Sequence, residues 1–212
     1  IMNEDINSKF KDIIGSSPSM LKVFETIEQV ASTDANVLIL GENGTGKEVI
    51  ARAIHRRSNR ADKVFINVDL GAVTETLFES ELFGHVKGAF TDAKQDRVGR
   101  FEAASDGSLF LDEIGNLSMP LQAKLLTSLQ SKKITPVGTN KLIEVDVRFI
   151  FATNMPIYEM VKTNEFRQDL LYRINTIEIH LPALRERLDD LEPLAKHFLG
   201  MYSKKYNKSI HS

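Results

Sequence analysis

A short glycine-rich segment of the sequence has the residue types and spacing needed to bind phosphate. It consists of Gly41, Glu42, Asn43, Gly44, Thr45, Gly46 and Lys47, and Glu48 follows it. Glycine lets the backbone curl until successive N–H groups point at phosphate oxygens, and Lys47 adds a point charge for the β- and γ-phosphates. The segment matches the Gly-x4-Gly-Lys core of a P-loop, although Glu48 stands where the general motif has a magnesium-binding Ser or Thr. The alternative is a glycine-rich turn whose lysine is only solvated.

Two adjacent carboxylates, Asp112 and Glu113, follow the apolar run 109–111. Open parallel sheets bind ligands beyond the carboxyl ends of their strands, which is where this pair would lie. There Asp112 is suited to hold Mg²⁺, directly or through water, and Glu113 to polarise an attacking water. An acidic pair after a strand can instead cap a helix. Combined with the glycine-rich segment, the pair predicts a magnesium-dependent hydrolase of ATP.

Alternating strands and helices are predicted around these motifs. The predicted strands span 36–40, 64–68, 107–111, 147–152 and 176–181. The predicted helices span 20–30, 46–57, 74–83, 118–130 and 187–202. Residues 84–99, with glycines and alternating charges, are interpreted as a long exposed loop, and a hairpin is expected around 137–141. Strands that alternate with helices indicate an α/β fold with a parallel sheet covered on both faces.

The overall composition is that of an ordinary globular protein, and it excludes several kinds of site. The chain has 212 residues, of which 42% are hydrophobic and 26% charged, with a formal net charge of −2. That charge argues against a nucleic-acid module that depends on a strong basic field. The lack of cysteine excludes disulfides and thiolate metal sites. No apolar run is long enough to cross a membrane and the start has no signal-peptide design, so we expect a cytoplasmic protein.

The segment ESELFGHVKGAFTDA, residues 79–93, makes the sequence resemble a known family. It is similar to the ESELFGHEKGAFTGA segment of the central AAA+ domain of the NtrC-like activators of sigma-54 RNA polymerase, the bacterial enhancer-binding proteins. The resemblance covers about residues 13–202, and GENGTGKE at 41–48 matches the family's Walker A, which itself has Glu after the lysine. It implies an α/β, P-loop AAA+ three-layer core with a five-stranded, mostly parallel sheet, then the start of an α-helical lid. Ile14 and Gly15 resemble the family's adenine-side segment.

The resemblance gives roles to residues beyond the glycine-rich segment. In the family, the loop that corresponds to Phe90 and Thr91 rises from a ring and touches sigma-54. Thr153 and Asn154, in the segment RFIFATN, correspond to sensor I near the γ-phosphate. An aromatic side chain on an exposed loop also favours an interface. The residues alone leave open the alternative that Phe90 folds back into the core.

The segment FRQDLLYR, residues 166–173, resembles the family's FRxDLYYR segment. This implies that Arg167 and Arg173 reach the nucleotide of the neighbouring subunit, where a guanidinium stabilises charge on the transferring phosphoryl group. A homo-oligomeric ring, hexameric by resemblance, follows from that arrangement. The residues alone leave open a surface helix whose arginines pair with acids such as Asp169.

Two residues depart from the family pattern. Asp92 stands where the loop has glycine, and Asp69 stands where the family has an asparagine thought to restrain the catalytic glutamate. Because aspartate tolerates a left-handed backbone, we expect the turn at Asp92 to survive, with an added charge that could alter docking. An aspartate facing Glu113 would repel it and favour a shared proton, so our hypothesis is that Asp69 tunes hydrolysis. Asn67 lies on the same strand face and could substitute only in a different register.

The expected domain organisation and function follow from this resemblance. We expect residues 1–12 to be a linker or a cloning remnant, 13–183 to be the AAA+ core, and 184–212 to begin a lid that is cut short. The expected function is ATP hydrolysis, with Mg²⁺, that moves the 84–99 loop and remodels the closed complex of sigma-54 RNA polymerase holoenzyme. DNA would be reached only through a domain outside this chain, and no membrane contact is expected. The alternatives are a small-molecule kinase, a non-catalytic nucleotide-binding oligomerisation module, and a regulator of this fold that does not engage sigma-54.

Overall fold

The computed structural model describes residue 10 and residues 13–71 and 75–208. The helices are α1 (Pro18–Ala31), α2 (Lys47–Arg56), α3 (Glu75–Phe83), α4 (Arg100–Ala103), α5 (Met119–Ser131), α6 (Ile157–Lys162), α7 (Gln168–Ile174) and α8 (Leu191–Tyr206). The strands are β1 (Val37–Leu40), β2 (Phe65–Asp69), β3 (Gly84–His85), β4 (Arg97–Val98), β5 (Ser108–Asp112), β6 (Lys133–Ile134), β7 (Ile143–Glu144), β8 (Arg148–Thr153) and β9 (Ile177–His180). Turns of 3-10 helix occur at Ile114–Asn116, Leu184–Glu186 and Leu188–Asp190. All of the predicted strands and helices are present, with shifted ends.

Five strands form one parallel sheet in the order β2-β5-β8-β1-β9. Every residue of β8 is buried, and β5 is buried up to Asp112, because both are central strands covered by helices on each side. Their sequences are accordingly continuous apolar runs rather than alternating ones. The parallel arrangement brings the carboxyl ends of all five strands to one edge. The predicted five-stranded parallel sheet is confirmed.

Helices cover both faces of the sheet and give the fold three layers. On one face α1 and α2 enclose a core that includes Phe24, Ile27 and Ile54. On the other face α3 to α7 enclose a second core that includes Phe101 and Leu125. Full burial of such a side chain stabilises the fold by roughly 1.5–3 kcal/mol. The predicted three-layer α/β core is confirmed.

The segment 84–99, predicted as a long exposed loop, is in fact a hairpin with a packed base. β3 and β4 pair antiparallel, and His85 and Ala93 are buried. Gly84 has a φ of +80°, and a Cβ there would lie 2.5 Å from the carbonyl oxygen of Arg97, so the base of the hairpin requires glycine. The glycines and charges of this segment suggested a loop, because an antiparallel ladder of only two residue pairs gives no alternating sequence pattern.

A second hairpin, formed by β6 and β7, lies against the first. The hairpin predicted around 137–141 is thereby confirmed. Val137 donates its N–H to the carbonyl of Gly84 (2.9 Å), and its carbonyl accepts the N–H of Val86 (3.1 Å). The two hairpins therefore share backbone hydrogen bonds although they are far apart in sequence.

The two ends of the chain differ in how they pack. Phe10 is buried, stacked on Phe24 with the Arg57 guanidinium over its ring, while the other residues of 1–12 lie outside the described part. At the other end, α8 has no buried residue, and it begins at Leu191 because two 3-10 turns replace the first part of the predicted helix. No described helix is long and apolar enough to cross a membrane.

Candidate active site

The polar residues predicted for catalysis converge where the central strands end. Gly41 leaves β1 and donates its N–H to the carbonyl of Thr153, the last residue of β8 (3.3 Å). Asp69 and Asp112 are partners in the register of β2 and β5. Four neighbouring strands thus deliver their carboxyl ends to one edge, as open α/β sheets do at ligand sites.

The glycine-rich segment curls around the ammonium group of Lys47. Gly44 and Gly46 have φ values of +80° and +101°, which side chains rarely adopt. Lys47 is 6% exposed, and its Nζ donates to the carbonyl oxygens of Gly41 (3.2 Å) and Glu42 (3.5 Å). α2 begins at this lysine, so the positive end of the helix faces the loop. The loop has the shape and charge of a phosphate cradle.

The acidic pair lies directly beside this lysine. The Glu113 Oε1 is 3.7 Å from Lys47 Nζ, and the Glu113 side chain is 19% exposed. Glu113 has a left-handed backbone with φ of +58°, which is uncommon for a non-glycine residue and typical of functional sites. Its N–H donates to Asp112 Oδ1 at 2.9 Å. The turn therefore points two adjacent carboxylates at one place.

Burial has the largest effect on the electrostatics of this edge. Burial raises the pKa of Asp112, and the carboxylates of Glu113 and Asp69 raise it further. The Glu113 N–H and the Lys47 ammonium oppose that rise. The Lys47 ammonium thus faces three carboxylates, an arrangement that a bound cation would stabilise.

Asp69 lies beside both members of the acidic pair. Its Oδ1 accepts the N–H of Gly71 at 2.8 Å. A Cβ built on Gly71 would lie 3.2 Å from that oxygen and 3.8 Å from Glu113 Cγ, so the two side chains flank the same point. Asn67 is exposed on the same face of β2, two residues before Asp69 and therefore further from the carboxyl end of the strand. The register thus matches the predicted alignment, with Asp69 rather than Asn67 next to Glu113.

The donor set fits a magnesium ion that is shared with phosphate. Carboxylate oxygens are hard ligands, and Mg²⁺ in proteins takes one or two of them together with phosphate oxygens and water. Asp112 lies at the strand end, one residue before Glu113 and near the cradle. In the described part of the chain no three His, Cys, Asp or Glu side chains form a metal cage by themselves. The site therefore suits a cation bound together with a nucleotide.

A pocket of about 830 Å³ opens beside the glycine-rich segment. Ile14 lines it from one side, and the segment that precedes α8 lines it from the other. Gly15 does not line it, although a Cβ there would approach Met20 (3.2 Å) and Asp190 (3.4 Å). Its size and apolar lining next to a phosphate cradle suit the base and sugar of a nucleotide.

Charged residues of the segment before α8 tie it to the pocket, and the sequence analysis missed them. Arg187 donates to the carbonyl of Thr45 (3.0 Å), and Arg185 forms an ion pair with Glu42. Asp190, which is fully buried, accepts the N–H groups of Ser16 (2.6 Å) and Ser17 (2.8 Å). These contacts join positions more than 140 residues apart, which no local spacing can reveal.

Thr153 and Asn154 lie at the end of β8, beside the acidic turn. Thr153 is fully buried, and its hydroxyl accepts the N–H of Met155 (3.0 Å). A Cβ on Gly115 would lie 3.1 Å from that hydroxyl, so the strand end packs on the turn after Glu113. Asn154 is exposed. Glu48 instead turns away from the edge and bonds Arg52 along α2.

The two predicted trans arginines are on and beside α7. Arg167 donates to both carboxylate oxygens of Asp169, at 2.9 and 2.6 Å, which lowers the pKa of Asp169. Arg173 is exposed and donates to the carbonyl of Leu129 (3.0 Å). Among the described residues that line the pocket, neither arginine occurs. Within one chain the arginines thus stand apart from the phosphate cradle.

Phe90 and Thr91 are at the tip of the first hairpin. Thr91 is exposed, and Phe90 is 38% exposed, with its ring 4.9 Å from the ring of His85. The His85 Nδ1 is hydrogen-bonded to the Ser80 hydroxyl (2.6 Å). Phe90 is therefore neither in the core nor fully free. Asp92 is not among the described residues with positive φ, so the turn does not need the left-handed conformation expected there.

The comparisons with known proteins agree with this geometry. The family model described as the sigma-54 interaction domain matches residues 13–180. The chain is 52% identical over 199 residues to a Nif-specific regulatory protein of Azospirillum lipoferum, covering 94% of this chain and 32% of that protein. It is 48% identical over 208 residues to the formate hydrogenlyase transcriptional activator FhlA of Escherichia coli (strain K12), covering 98% of this chain and 30% of that protein. The chain spans about a third of the length of these relatives.

Solved structures of related proteins have the same fold. NtrX from Brucella abortus in complex with ADP is 34% identical, with a TM-score of 0.85 over 92% of this chain and 42% of that chain. The P-loop NTPase domain of a sigma-54 activator from E. coli, at 20% identity and a TM-score of 0.52, shares the fold, covering 78% of this chain and 95% of that chain. With a phosphate cradle, an acidic strand end and the hairpin segment on one α/β core, this chain belongs to the sigma-54 interaction domain family.

Proposed function

We propose that this chain is a magnesium-dependent ATPase that hydrolyses ATP to ADP and phosphate. The observation that carries the proposal is the approach of Lys47 and Glu113 to 3.7 Å, with Asp112 next to them, at the mouth of the phosphate cradle. The NtrX structures, which are complexes with ADP and with ATP, support the choice of nucleotide. Both the positive groups for phosphate and a carboxylate for water are thereby within one site.

Each residue of this edge has a part in the proposed reaction. Lys47 and the N–H groups of the glycine-rich segment hold the phosphates. Asp112 would hold Mg²⁺, which neutralises charge on the phosphate oxygens when bound. Glu113 orients the attacking water and accepts its proton. Thr153 and Asn154, at the neighbouring strand end, contact the γ-phosphate and register its loss.

The proposed assembly is a ring in which each nucleotide lies between two subunits. Arg167 and Arg173 stand apart from the pocket of their own chain, which supports a role at the neighbouring subunit's nucleotide. A guanidinium supplied in this way is worth about 10³–10⁵ in rate in other nucleotide hydrolases. We further propose that 13–183 form the AAA+ core and that 184–212 begin the lid.

The proposed partner is the sigma-54 RNA polymerase holoenzyme, which places the function in the cytoplasm. Phe90 and Thr91 would make the contact, because they are accessible at the tip of the hairpin and large aromatic side chains anchor interfaces. Hydrolysis would move the hairpin and thereby remodel the closed polymerase complex. Contact with DNA would belong to domains outside this chain.

Phosphate release from ATP with Mg²⁺ tests the catalytic part of the proposal. Glu113→Gln should lower kcat by about 10²–10⁴ and leave ATP affinity within a factor of two, because it removes the base and leaves the cradle intact. An isotope or dye assay for phosphate, together with nucleotide titration, measures both. Unchanged phosphate release in the variant would contradict the assignment of Glu113.

Binding to sigma-54 with a non-hydrolysed ATP analogue tests the partner. Phe90→Ala should weaken that binding by about 30-fold, the effect of losing an interface anchor, with ATP hydrolysis unchanged. Val98→Ala, an exposed residue on β4 of the same hairpin, is the matched control and should bind normally. If the parent protein does not bind sigma-54 at all, the alternative of a nucleotide-binding regulatory module replaces this part of the proposal.

A further inference from the structure

Gln122 is a fully buried polar residue that the proposed chemistry does not use. It lies in the second turn of α5 with no solvent exposure. A buried amide without partners destabilises a fold, so its hydrogen bonds must be strong enough to retain it there. Nearby positions of α5, such as Leu121 and Leu125, are filled by apolar side chains. The hydrogen bonds of Gln122 explain why a polar side chain is retained at this buried position.

The Gln122 side chain bonds two separate backbone segments at once, one just before α5 and one just before α7. Its Nε2 donates to the carbonyls of Leu117 (2.8 Å) and Glu165 (3.0 Å). Its Oε1 accepts the N–H of Arg167 (2.8 Å). Both amide hydrogens and the oxygen are therefore in use, with no other side chain among these partners.

One of these segments leads directly back to the acidic pair. After Glu113 the chain makes a 3-10 turn, in which Glu113 accepts the N–H of Asn116 (3.0 Å) and Ile114 accepts that of Leu117 (3.3 Å). Leu117, whose carbonyl Gln122 holds, is thus joined to Glu113 by a short, hydrogen-bonded turn. Gly115 in this turn packs so closely on Met155 that a Cβ would lie 2.7 Å from its sulfur. The turn has little room to move independently of its neighbours.

The other segment carries Arg167. This residue precedes α7 with an extended backbone (φ −73°, ψ 128°), and no side chain caps the helix there. The bond from its N–H to Gln122 fixes the backbone from which the guanidinium projects. The side chain itself is held by Asp169. The direction of the Arg167 side chain therefore depends on Gln122 through the backbone.

We infer that Gln122 is a positioning residue, which holds the backbone of the arginine that one subunit offers to its neighbour against the rigid turn after that subunit's own acidic pair. The inference rests on the proposed function, because it needs ATP hydrolysis with Arg167 acting in trans. A small displacement of a catalytic group can lower a rate about 10²-fold. Gln122→Met, which keeps the length but removes all three bonds, should lower kcat by about that factor and leave ATP affinity within a factor of two.

Mixed assemblies of the full chain separate this role from a structural one. Gln122→Met subunits have an intact acidic pair and a displaced arginine, whereas Glu113→Gln subunits have an inactive site and a normal arginine. Each variant alone should keep no more than about one hundredth of parent activity. In an equal mixture about one interface in four joins an intact site to a normal arginine, so the mixture should regain up to about a quarter of parent activity. Arg167→Ala mixed with Glu113→Gln is the control and should regain activity in the same way.

The outcomes of the mixing experiment are distinguishable. Recovery in both mixtures supports the inference. If activity recovers only in the mixture that contains Arg167→Ala, the inference is overturned. Gln122 would then affect the acidic pair of its own subunit or only the folding of the chain. No recovery in either mixture contradicts the trans arrangement of the proposed function, and the inference falls with it.

A second variant keeps the inference testable if Gln122→Met does not fold. Gln122→Glu retains an oxygen for the Arg167 N–H, and burial favours its protonated form, whose O–H can still donate to one of the carbonyls of Leu117 and Glu165. It should therefore be less impaired than Gln122→Met and should recover in the same mixture. A Gln122→Glu protein that folds, is inactive and does not recover would overturn the inference.

Discussion

The two edges of the parallel sheet both contain buried charge, and they use it differently. At the amino-terminal edge, Arg148 is 1% exposed and donates to the carbonyls of Val30 and Ala31 at the end of α1. At the carboxyl-terminal edge, Asp112 and Glu113 lie together beside Lys47. The charge of Arg148 is stabilised by backbone carbonyls, although its Nε has no hydrogen-bond partner in the described part of the chain. The carboxylates of the second edge lie close together beside a crevice.

The neighbouring charged residues follow the same division. Arg60, at the amino-terminal edge, bonds Asp34, Asp146 and the Gly107 carbonyl. Such saturation is what a structural network needs, because an unpaired buried group is costly. An unsaturated cluster of like charges costs stability and persists where function requires it. Burial of charge alone therefore does not identify a site, whereas unbalanced charge beside a crevice does.

Removal of the cation at the carboxyl-terminal edge should have the largest effect. Lys47→Ala deletes the ammonium that faces the phosphates, and losing one such donor costs about 10²–10³ in kcat. Thermal stability should fall only modestly, because the carbonyls of Gly41 and Glu42 that lose this donor are within reach of water. Phosphate release and calorimetry measure the two effects. The control is Lys141→Ala, which changes an exposed lysine. Equal losses of activity in the two variants would contradict the difference between the two edges.

Removal of a charge at the amino-terminal edge should change stability instead. Arg148→Met removes a donor from the Ala31 carbonyl, whereas the Val30 carbonyl keeps the N–H and hydroxyl of Thr33. We therefore expect a loss of about 1–3 kcal/mol in the free energy of unfolding. Activity per folded molecule should stay the same. Urea unfolding gives the difference, and Lys162→Met, in an exposed ion pair with Glu159, should lose no more than about 1 kcal/mol. A stable but inactive Arg148→Met protein would contradict the division between the edges.

Relief of like charge at the carboxyl-terminal edge should have a moderate effect. Asp69→Asn removes one of the charges that raise the pKa of Asp112. The acid limb of the pH–rate profile should therefore move to lower pH, with a change in kcat of less than about tenfold. The matched control is Asp62→Asn on an exposed turn. If Asp69→Asn leaves both the rate and the pH profile unchanged, the hypothesis that Asp69 tunes hydrolysis is wrong.

The smallest expected effect is a pH dependence at the amino-terminal edge. Burial lowers the pKa of His55, whose Nδ1 is hydrogen-bonded to Ser108 (2.9 Å). The unfolded chain then binds a proton more readily, so stability is fully present above about pH 6.5 and falls as the pH drops, by at most about 1.4 kcal/mol per pH unit. His55→Asn should flatten this slope in unfolding curves between about pH 5 and 7. His197→Asn, at an exposed position, should leave the slope unchanged. If His55→Asn has the same slope as the parent protein, His55 is not the source of the pH dependence.

The sequence predicted the parts of the site that depend on local spacing. The P-loop residues, the Asp112–Glu113 pair and the strand end at Thr153 each combine an apolar run with a polar ending, and parallel strands must bring such endings to one edge. The position of Asp69 at the end of β2 follows from the same rule. These features could be predicted because they need only local pattern and topology.

Other features depend on contacts between distant segments and could not be predicted. Gln122 looks like one more polar residue of an amphipathic helix, and nothing in its spacing shows that Leu117, Glu165 and Arg167 converge on it. The Arg185–Glu42 pair likewise joins residues 143 positions apart. The two-pair ladder at the base of the 84–99 hairpin was too short for an alternating pattern.

The central claim is that a complete active site needs groups from two subunits. Phosphate release per subunit, measured against protein concentration for the full chain, tests it most directly. We predict that specific activity rises with concentration as subunits assemble, and that Arg167→Ala stays low at every concentration. A specific activity that is constant with concentration, and equal in Arg167→Ala, would contradict the claim.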